Sequence, residues 1–409
     1  MVYWWQGIKP QTVEKVPCRG AHCAPVAVCR VRSFHGKALL RQVGGRTLFA
    51  PTCSTNQRTV FRQAEPPFTQ GRLLLYKLES AIIEEQNFMV NKSYYEKLGG
   101  FNVKENCMKK ILVTGGTTFV SKYVAEYFVN AGYEVFVLNR NSKPQVQGVT
   151  LIEADRHNLG DILKATAFDA VADITAYTDK DIIDLVKALG SFKQYIMISS
   201  SAVYPEYGVQ PFTEESERAE NKFWGAYGTN KIAAEKALLE RVKDAYIVRP
   251  PYLYGPMNNV YREAFVFDCA LADRKFYLPK DGSMKLQFFH VKDLCGLIEV
   301  ILKDKPEDHI LNVGNVEAVS IKDWVTKCYE SLGKTPNFVN VYEEIEQKNY
   351  FSFYNYEYYL DVSRQRKIYP ETISLEDGLK DSAKWYLEHS TEVNKKPYFE
   401  YIDENLAED

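Results

Sequence analysis

"ILVTGGTTFVSKYVAEYF", Ile111 to Phe128, decides how this chain is read. An apolar run, a glycine turn and apolar positions at helical spacing make a buried strand, a tight turn and an amphipathic helix. Val120, Val124, Tyr127 and Phe128 are expected on the helix's packed face. Dinucleotide-binding units open in this order, because the turn's backbone N–H groups and the helix N-terminus meet a pyrophosphate. A G-x-x-G-x-x-G pattern falls on Gly115, Thr118 and Ser121. Gly115 and Gly116 can make the tight turn. Thr118 stands where a glycine would let the phosphates approach, and Ser121 where one would let helix and strand pack closely. These two side chains predict a tighter pyrophosphate pocket. Alone, the stretch leaves cofactor binding open.

The same alternation continues outward. "YEVFVL", "VTLIEAD", "FDAVADIT", "QYIMIS" and "AYIVRP" read as five further strands, with "DIIDLVKAL" and "YGTNKIAAEKALLERV" as helices between them. Strands apolar on both faces that alternate with helices form a parallel sheet covered on both sides. The expected fold is therefore α/β: a Rossmann-type doubly wound parallel sheet over residues 108–250. A smaller C-terminal substrate-binding subdomain, residues 251–409, is interleaved with that sheet.

Of the 409 residues 45% are hydrophobic and 25% charged, and the formal net charge is −2. No run of 18 apolar residues argues for a membrane span. The charge divides unevenly. Residues 1–107 carry 15 Lys+Arg against 7 Glu and no Asp, a net +8, while residues 108–409 carry a net −10. That acidic balance disfavours a general nucleic-acid surface. Residues 1–107 lack sustained periodicity and read as a poorly ordered or non-native extension. "MKKILVTGG", from Met108, makes a natural start for the functional protein. Cys18 and Cys23, with His22 beside them, lack a second ligand pair at zinc spacing, so no metal site is expected. Cys269, Cys295 and Cys328 read as reduced core thiols of a cytoplasmic protein.

Two further places carry chemistry. After the second strand, "VLNRNSK" offers Asn139 and Arg140 where NAD sites place an acid on the ribose, so NADP stays open beside NAD. Downstream, Tyr227 and Lys231 are four apart on a helix and share a face. A lysine ammonium there is expected to draw the tyrosine pKa down from about 10, making Tyr227 a general acid/base. At the end of the fifth strand, "YIMISSSAVYPE" puts serine hydroxyls where a substrate oxygen would be held.

With these pieces the chain resembles the extended short-chain dehydrogenase/reductase family of NAD-dependent epimerases and dehydratases. Ser200 stands four residues before Tyr204, and Tyr227-x-x-x-Lys231 follows. "RPPYLYGP" (Arg249–Pro256), "FFHVKDL" (Phe288–Leu294), "ILNVGN" (Ile310–Asn315) and "SLEDGLKDSAKWY" (Ser374–Tyr386) then come in the family's order. The resemblance spans nearly all of 108–409. It implies Ser200 on the reacting oxygen, Tyr227 as acid/base, and Lys231 on the nicotinamide ribose. It implies Gly115, Gly116, Thr118 and Phe119 at the pyrophosphate, Asn139 and Arg140 at the ribose, Asp155 at the adenine, and Thr175 and Ala176 along the groove. Ser201, Tyr252, Arg262 and Lys285 are the candidate substrate contacts.

The implied function is an NAD(P)-dependent epimerase or oxidoreductase on a sugar or nucleotide-sugar hydroxyl. A homodimer is also implied by the resemblance, though no residue shows it. Ser201 and Ala202 replace the dehydratases' Asp-Glu pair, which disfavours dehydration. Leu286 stands where epimerases often have a diphosphate arginine. "GGTTF" and "ADRHN" are most similar to a divergent branch that includes plastid stem-loop RNA-binding relatives. A non-catalytic cofactor-sensing or RNA-binding protein is therefore the alternative. The aromatic-rich "NYFSFYNYEYYLDVSRQRK" (Asn349–Lys367) is expected mostly in the small subdomain's core, with Asp361 and Arg364 structural.

Overall fold

The computed structural model describes residues 41–43, 46–48 and 108–407. The chain divides into two compact units, residues 1–106 and 107–409. In the first unit the described residues form a short antiparallel pair, Arg41–Val43 with Arg46–Leu48. The readings of residues 1–107 as an extension, and of Cys18 and Cys23, otherwise lie outside the described residues.

The second unit starts with β1 (Lys110–Thr114), α1 (Phe119–Asn130), β2 (Glu134–Asn139), β3 (Thr150–Glu153) and β4 (Phe168–Asp173). It continues through α2 (Asp179–Ala188), β5 (Phe192–Ile198), α3 (Ala226–Arg241), β6 (Tyr246–Arg249), β7 (Tyr252–Tyr254) and α4 (Glu263–Leu271). Then come β8 (Phe276–Pro279), β9 (Lys285–Leu286), β10 (Phe288–His290), α5 (Val291–Asp304), β11 (Ile310–Asn312), β12 (Val319–Ser320) and α6 (Ile321–Glu330). β13 (Phe338–Val341), α7 (Ser363–Ile368), α8 (Leu375–His389) and α9 (Tyr398–Asn405) complete it.

Seven parallel strands form one sheet in the order β3-β2-β1-β4-β5-β6-β11. The order reverses between β1 and β4, which is where a doubly wound sheet opens a crevice at its carboxyl edge. β1 shows why its run is apolar throughout. Ile111 and Val113 enter the core on the α1/α5 side, and Leu112 enters the core on the α2/α3 side. On α1 the buried face holds Ser121, Val124, Ala125 and Phe128, with Val120 and Tyr127 at its margin. Tyr127 lies there because its hydroxyl donates to Glu299 at 2.8 Å.

β11 and α5 come from beyond residue 250, yet β11 is the sheet's last strand and α5 lies over its α1 face. The remaining elements make a second core. There β7 pairs with β10 and β8 with β13, both parallel, and Trp324, Phe265 and Phe353 lie at its centre. Asp361 accepts from Ser363 N at 2.9 Å, and Arg364 pairs with Glu215, Glu214 and Asp308, so both do structural work.

Candidate active site

The glycine turn is built for a close approach. Gly115 and Gly116 both have φ +90°, a conformation side chains rarely adopt. A Cβ on Gly115 would lie 2.7 Å from Ser121 Oγ, and one on Gly116 would lie 2.6 Å from Val137 Cγ1. Thr118 precedes α1 with extended backbone at φ −142°, so it has no need of glycine. Ser121 is buried and donates to the Thr118 carbonyl at 3.0 Å. Helix and strand thus meet through a small hydroxyl rather than a bare glycine. Phe119 takes φ +35° as the helix begins. Asn139 donates to the Gly115 carbonyl at 2.7 Å and so braces the turn from β2. Arg140 is exposed, and Lys143 donates to Thr118 Oγ1 at 3.2 Å. Backbone N–H groups and a helix start, held open by two glycines, fit a dinucleotide pyrophosphate.

Beneath the crevice lies a polar cluster that the sequence reading missed. Asp173, fully buried at the end of β4, accepts from the two terminal guanidinium nitrogens of Arg156 (3.0 and 2.6 Å), from Thr114 Oγ1 (2.7 Å) and from Tyr195 (2.5 Å). Burial pushes the Asp173 carboxyl up, but Arg156 and these hydrogen bonds outweigh it and hold the pKa below its ordinary value. Arg156 also donates to Thr175 Oγ1 at 3.1 Å, while Thr114 Oγ1 accepts the Ile174 and Thr175 N–H groups. The loop carrying Thr175 and Ala176 is thereby fixed. Asp155 is exposed, and its carboxylate accepts from His157 N at 2.8 Å in a local turn.

Ser200, Tyr227 and Lys231 meet at the carboxyl ends of β4 and β5. Ser200 Oγ accepts from Ala202 N at 3.1 Å, which leaves its hydroxyl proton free to donate outward. Gly228 lets α3 press on the following turn, since a Cβ there would lie 2.4 Å from the Ala202 carbonyl oxygen. This contact sets Tyr227 beside Ser200. Lys231 is only 2% exposed. Its ammonium donates to the carbonyls of Ala176 (2.7 Å) and Ile198 (2.8 Å). It lies 5.0 Å from the Tyr177 ring centre and 5.9 Å from that of Tyr227.

One expectation is corrected here. The Tyr227 pKa is raised, not lowered, because burial of the phenol desolvates the phenolate, with the neighbouring Ser200 hydroxyl pulling the other way. The Lys231 ammonium, 5.9 Å from the ring centre, does not offset this burial. Lys231 itself is pushed down to about 8, chiefly by burial.

Aromatic residues of the second core reach this place. Trp224 lies 6.0 Å from Tyr227, 6.3 Å from Tyr252 and 5.2 Å from Tyr354 between ring centres, and donates to the Tyr356 hydroxyl at 2.7 Å. Ser201 is buried, with its hydroxyl 3.3 Å from that of Tyr358. Tyr252 is buried beneath Arg262, whose guanidinium carbon lies 5.0 Å from the ring centre. Lys285 is exposed on the β9–β12 ribbon, where its backbone N–H bonds Glu357, and none of its observed contacts reaches the Ser200–Tyr227–Lys231 group.

A family model described as the NAD dependent epimerase/dehydratase family matches residues 111–181 and 175–314. Among curated proteins, the chloroplast stem-loop binding protein of 41 kDa b of Arabidopsis thaliana is 24% identical over 351 residues, covering 79% of this chain and 91% of that protein. Among solved structures, UDP-glucuronic acid 4-epimerase from Bacillus cereus, in complex with UDP-glucuronic acid and NAD, superposes with a TM-score of 0.55 at 20% identity. That match covers 68% of this chain and 99% of the epimerase. The dTDP-glucose 4,6-dehydratase of Bacillus anthracis, in complex with NAD, gives a TM-score of 0.57 at 19% identity over 70% of this chain and 98% of its own.

Proposed function

The chain belongs to the NAD dependent epimerase/dehydratase family, and from that premise we propose that it is an NAD(P)-dependent epimerase or oxidoreductase acting on a sugar or nucleotide-sugar hydroxyl. The observation that carries this reading is the meeting of Ser200, Tyr227 and Lys231 beside a two-glycine cradle. NAD or NADP, when bound, supplies the hydride acceptor or donor. Gly115, Gly116, Thr118 and Phe119 would hold the pyrophosphate. Asn139 and Arg140 would face the adenosine ribose, Asp155 the adenine, and Thr175 and Ala176 the groove. Lys231 has three donors and spends two on carbonyls, which leaves one N–H for the nicotinamide ribose.

Ser200 donates to the reacting oxygen and fixes its position. As the phenolate Tyr227 takes the hydroxyl proton during oxidation, and as the phenol it returns that proton during reduction. Epimerisation and plain reduction both use these two steps. Dehydration would also need an acid beside Ser200. Ser201 spends its hydroxyl on Tyr358 and Ala202 has none to offer, so elimination is disfavoured. The buried thiols Cys269, Cys295 and Cys328 fit a cytoplasmic location.

The test is turnover and cofactor binding by the full chain. Calorimetry should detect NAD or NADP. Tyr227→Phe should remove turnover on a nucleotide-sugar panel while leaving cofactor affinity within about threefold. Absence of binding to both dinucleotides would sink the enzyme reading. The stem-loop binding relative favours a second reading, a nucleic-acid binder on this fold. It predicts stem-loop RNA binding that survives Tyr227→Phe.

A further inference from the structure

Arg262 and Lys348 are two cations brought to the active-site aromatics without a carboxylate of their own. Arg262 precedes α4, and its one observed hydrogen bond goes to the Leu253 carbonyl at 3.3 Å. Lys348 is half-buried in a short turn and donates to the Ser352 carbonyl at 2.6 Å. Among the described residues neither forms an ion pair. Glu263, next to Arg262, has its carboxyl committed to Asn258 at 2.8 Å. Each cation instead lies 5.0 Å from a tyrosine ring centre, Arg262 at Tyr252 and Lys348 at Tyr354. Both rings flank Trp224, which also lies 6.0 Å from Tyr227 between ring centres.

We infer that Arg262 and Lys348 form a clamp for an oxyanion group of the substrate, phosphate or carboxylate, against the wall of Trp224, Tyr252 and Tyr354. The inference rests on the reading of Tyr227 as the proton-transfer residue. Two like charges held on one aromatic cluster in a half-buried place cost free energy unless an anion joins them. The Lys348 ammonium is pushed down to about 8, by burial first and by Arg262 and Lys396 next, with Glu346 opposing. A planar guanidinium donates to two oxygens of one carboxylate or phosphate, and a nearby ammonium adds a point charge without fixing direction. Aromatic faces beside such a clamp suit a flat sugar ring or base. The clamp would hold the anionic end of the substrate across Trp224 from the hydroxyl that Tyr227 serves, and so would decide which substrates react.

Titration calorimetry on the full chain, saturated with NAD, tests this with four probes: UDP, UDP-glucose, glucuronate and glucose. Binding of UDP and UDP-glucose marks a phosphate site, binding of glucuronate a carboxylate site, and glucose serves as the neutral control. The expected result is that Arg262→Gln and Lys348→Met each weaken the anionic probe at least tenfold. Arg262→Lys should recover part of the loss, and NAD affinity should stay within twofold throughout. Lys348 lies in a half-buried turn, so its variant keeps the test valid if Arg262→Gln fails to fold. Variants that bind the anionic probe as wild type does overturn the clamp. So does a wild-type chain that binds NAD and none of the anionic probes. A wild-type chain that binds neither NAD nor probe overturns the enzyme reading, and the clamp with it.

Discussion

Lys231 lies 5.9 Å from the centre of the Tyr227 ring, yet its ammonium is fastened to the strand ends behind it. The pair therefore starts as a neutral phenol beside a weakened cation. Burial lowers Lys231 to about 8; Arg156 adds to that effect, while Asp173, Glu235 and Asp181 oppose it. Tyr227 moves up, so at neutral pH it holds its proton and is ready to act as the acid in carbonyl reduction. Reduction should stay level up to about pH 8 and then fall with roughly unit slope as Lys231 discharges. A profile of kcat/KM against pH checks this. Lys231→Met should be slow throughout and lack the inflection, and a wild-type profile flat to pH 10 would exclude the role given to Lys231.

Asp173 and Arg156 form a second buried pair, and the clasp should fail asymmetrically. Arg156→Met leaves a carboxylate with no counter-charge in a dry place, a change that costs about 3–5 kcal/mol. Because the Asp173 pKa is lowered in the folded chain, its contribution is complete above the ordinary carboxyl value near 4 and drains away as pH falls below it. Urea unfolding at pH 7 and pH 3 measures both effects. Asp173→Asn should remove part of the acid sensitivity. If Arg156→Met unfolds at the wild-type midpoint, the clasp contributes nothing.

How much of this was readable beforehand follows chemical distance along the chain. β1, its turn and α1 were legible because one short stretch contains the strand, the glycines and the helical spacing. Ser200, Tyr227 and Lys231 were legible as a motif set. The direction of the Tyr227 shift was not, because it depends on desolvation by residues that fold around the phenol. Arg156 lies inside the quoted "ADRHN", but nothing in the string pairs it with Asp173. Trp224 and Tyr356 bond across 132 residues, and no periodicity predicts such a contact. Lys348 stands in no motif, and only the fold brings it to the aromatic cluster where Arg262 also lies.

Glu235 on α3 and Arg249 on β6 share two hydrogen bonds, 2.9 and 2.6 Å, with both side chains wholly buried. This pair ties the helix that carries Tyr227 and Lys231 to the sheet. Arg249→Met should cost about 3–5 kcal/mol, and adding Glu235→Met in that background should cost much less than it does alone. A denaturation double-mutant cycle gives the coupling. Strict additivity would mean the two side chains act independently.

The two glycines of the opening stretch make the last test, because only they carry the backbone that the turn demands. Gly116→Ala meets both a positive φ and Val137 Cγ1 at 2.6 Å, and Val137 is a core residue of β2 with nowhere to move. It should cost about 1–3 kcal/mol of stability and weaken NAD binding at least tenfold. Gly115→Ala meets Ser121 Oγ at 2.7 Å and Thr175 Cγ2 at 3.0 Å, so Ser121→Gly in the same chain should relieve the closer contact but neither the second nor the backbone strain, giving partial rescue. Thr118 already has extended backbone, so Thr118→Gly should leave NAD affinity within about threefold. Calorimetric titration of the four variants separates these cases. A large gain in affinity from Thr118→Gly would show that the threonine side chain, rather than the turn's backbone, limits how closely the pyrophosphate can sit.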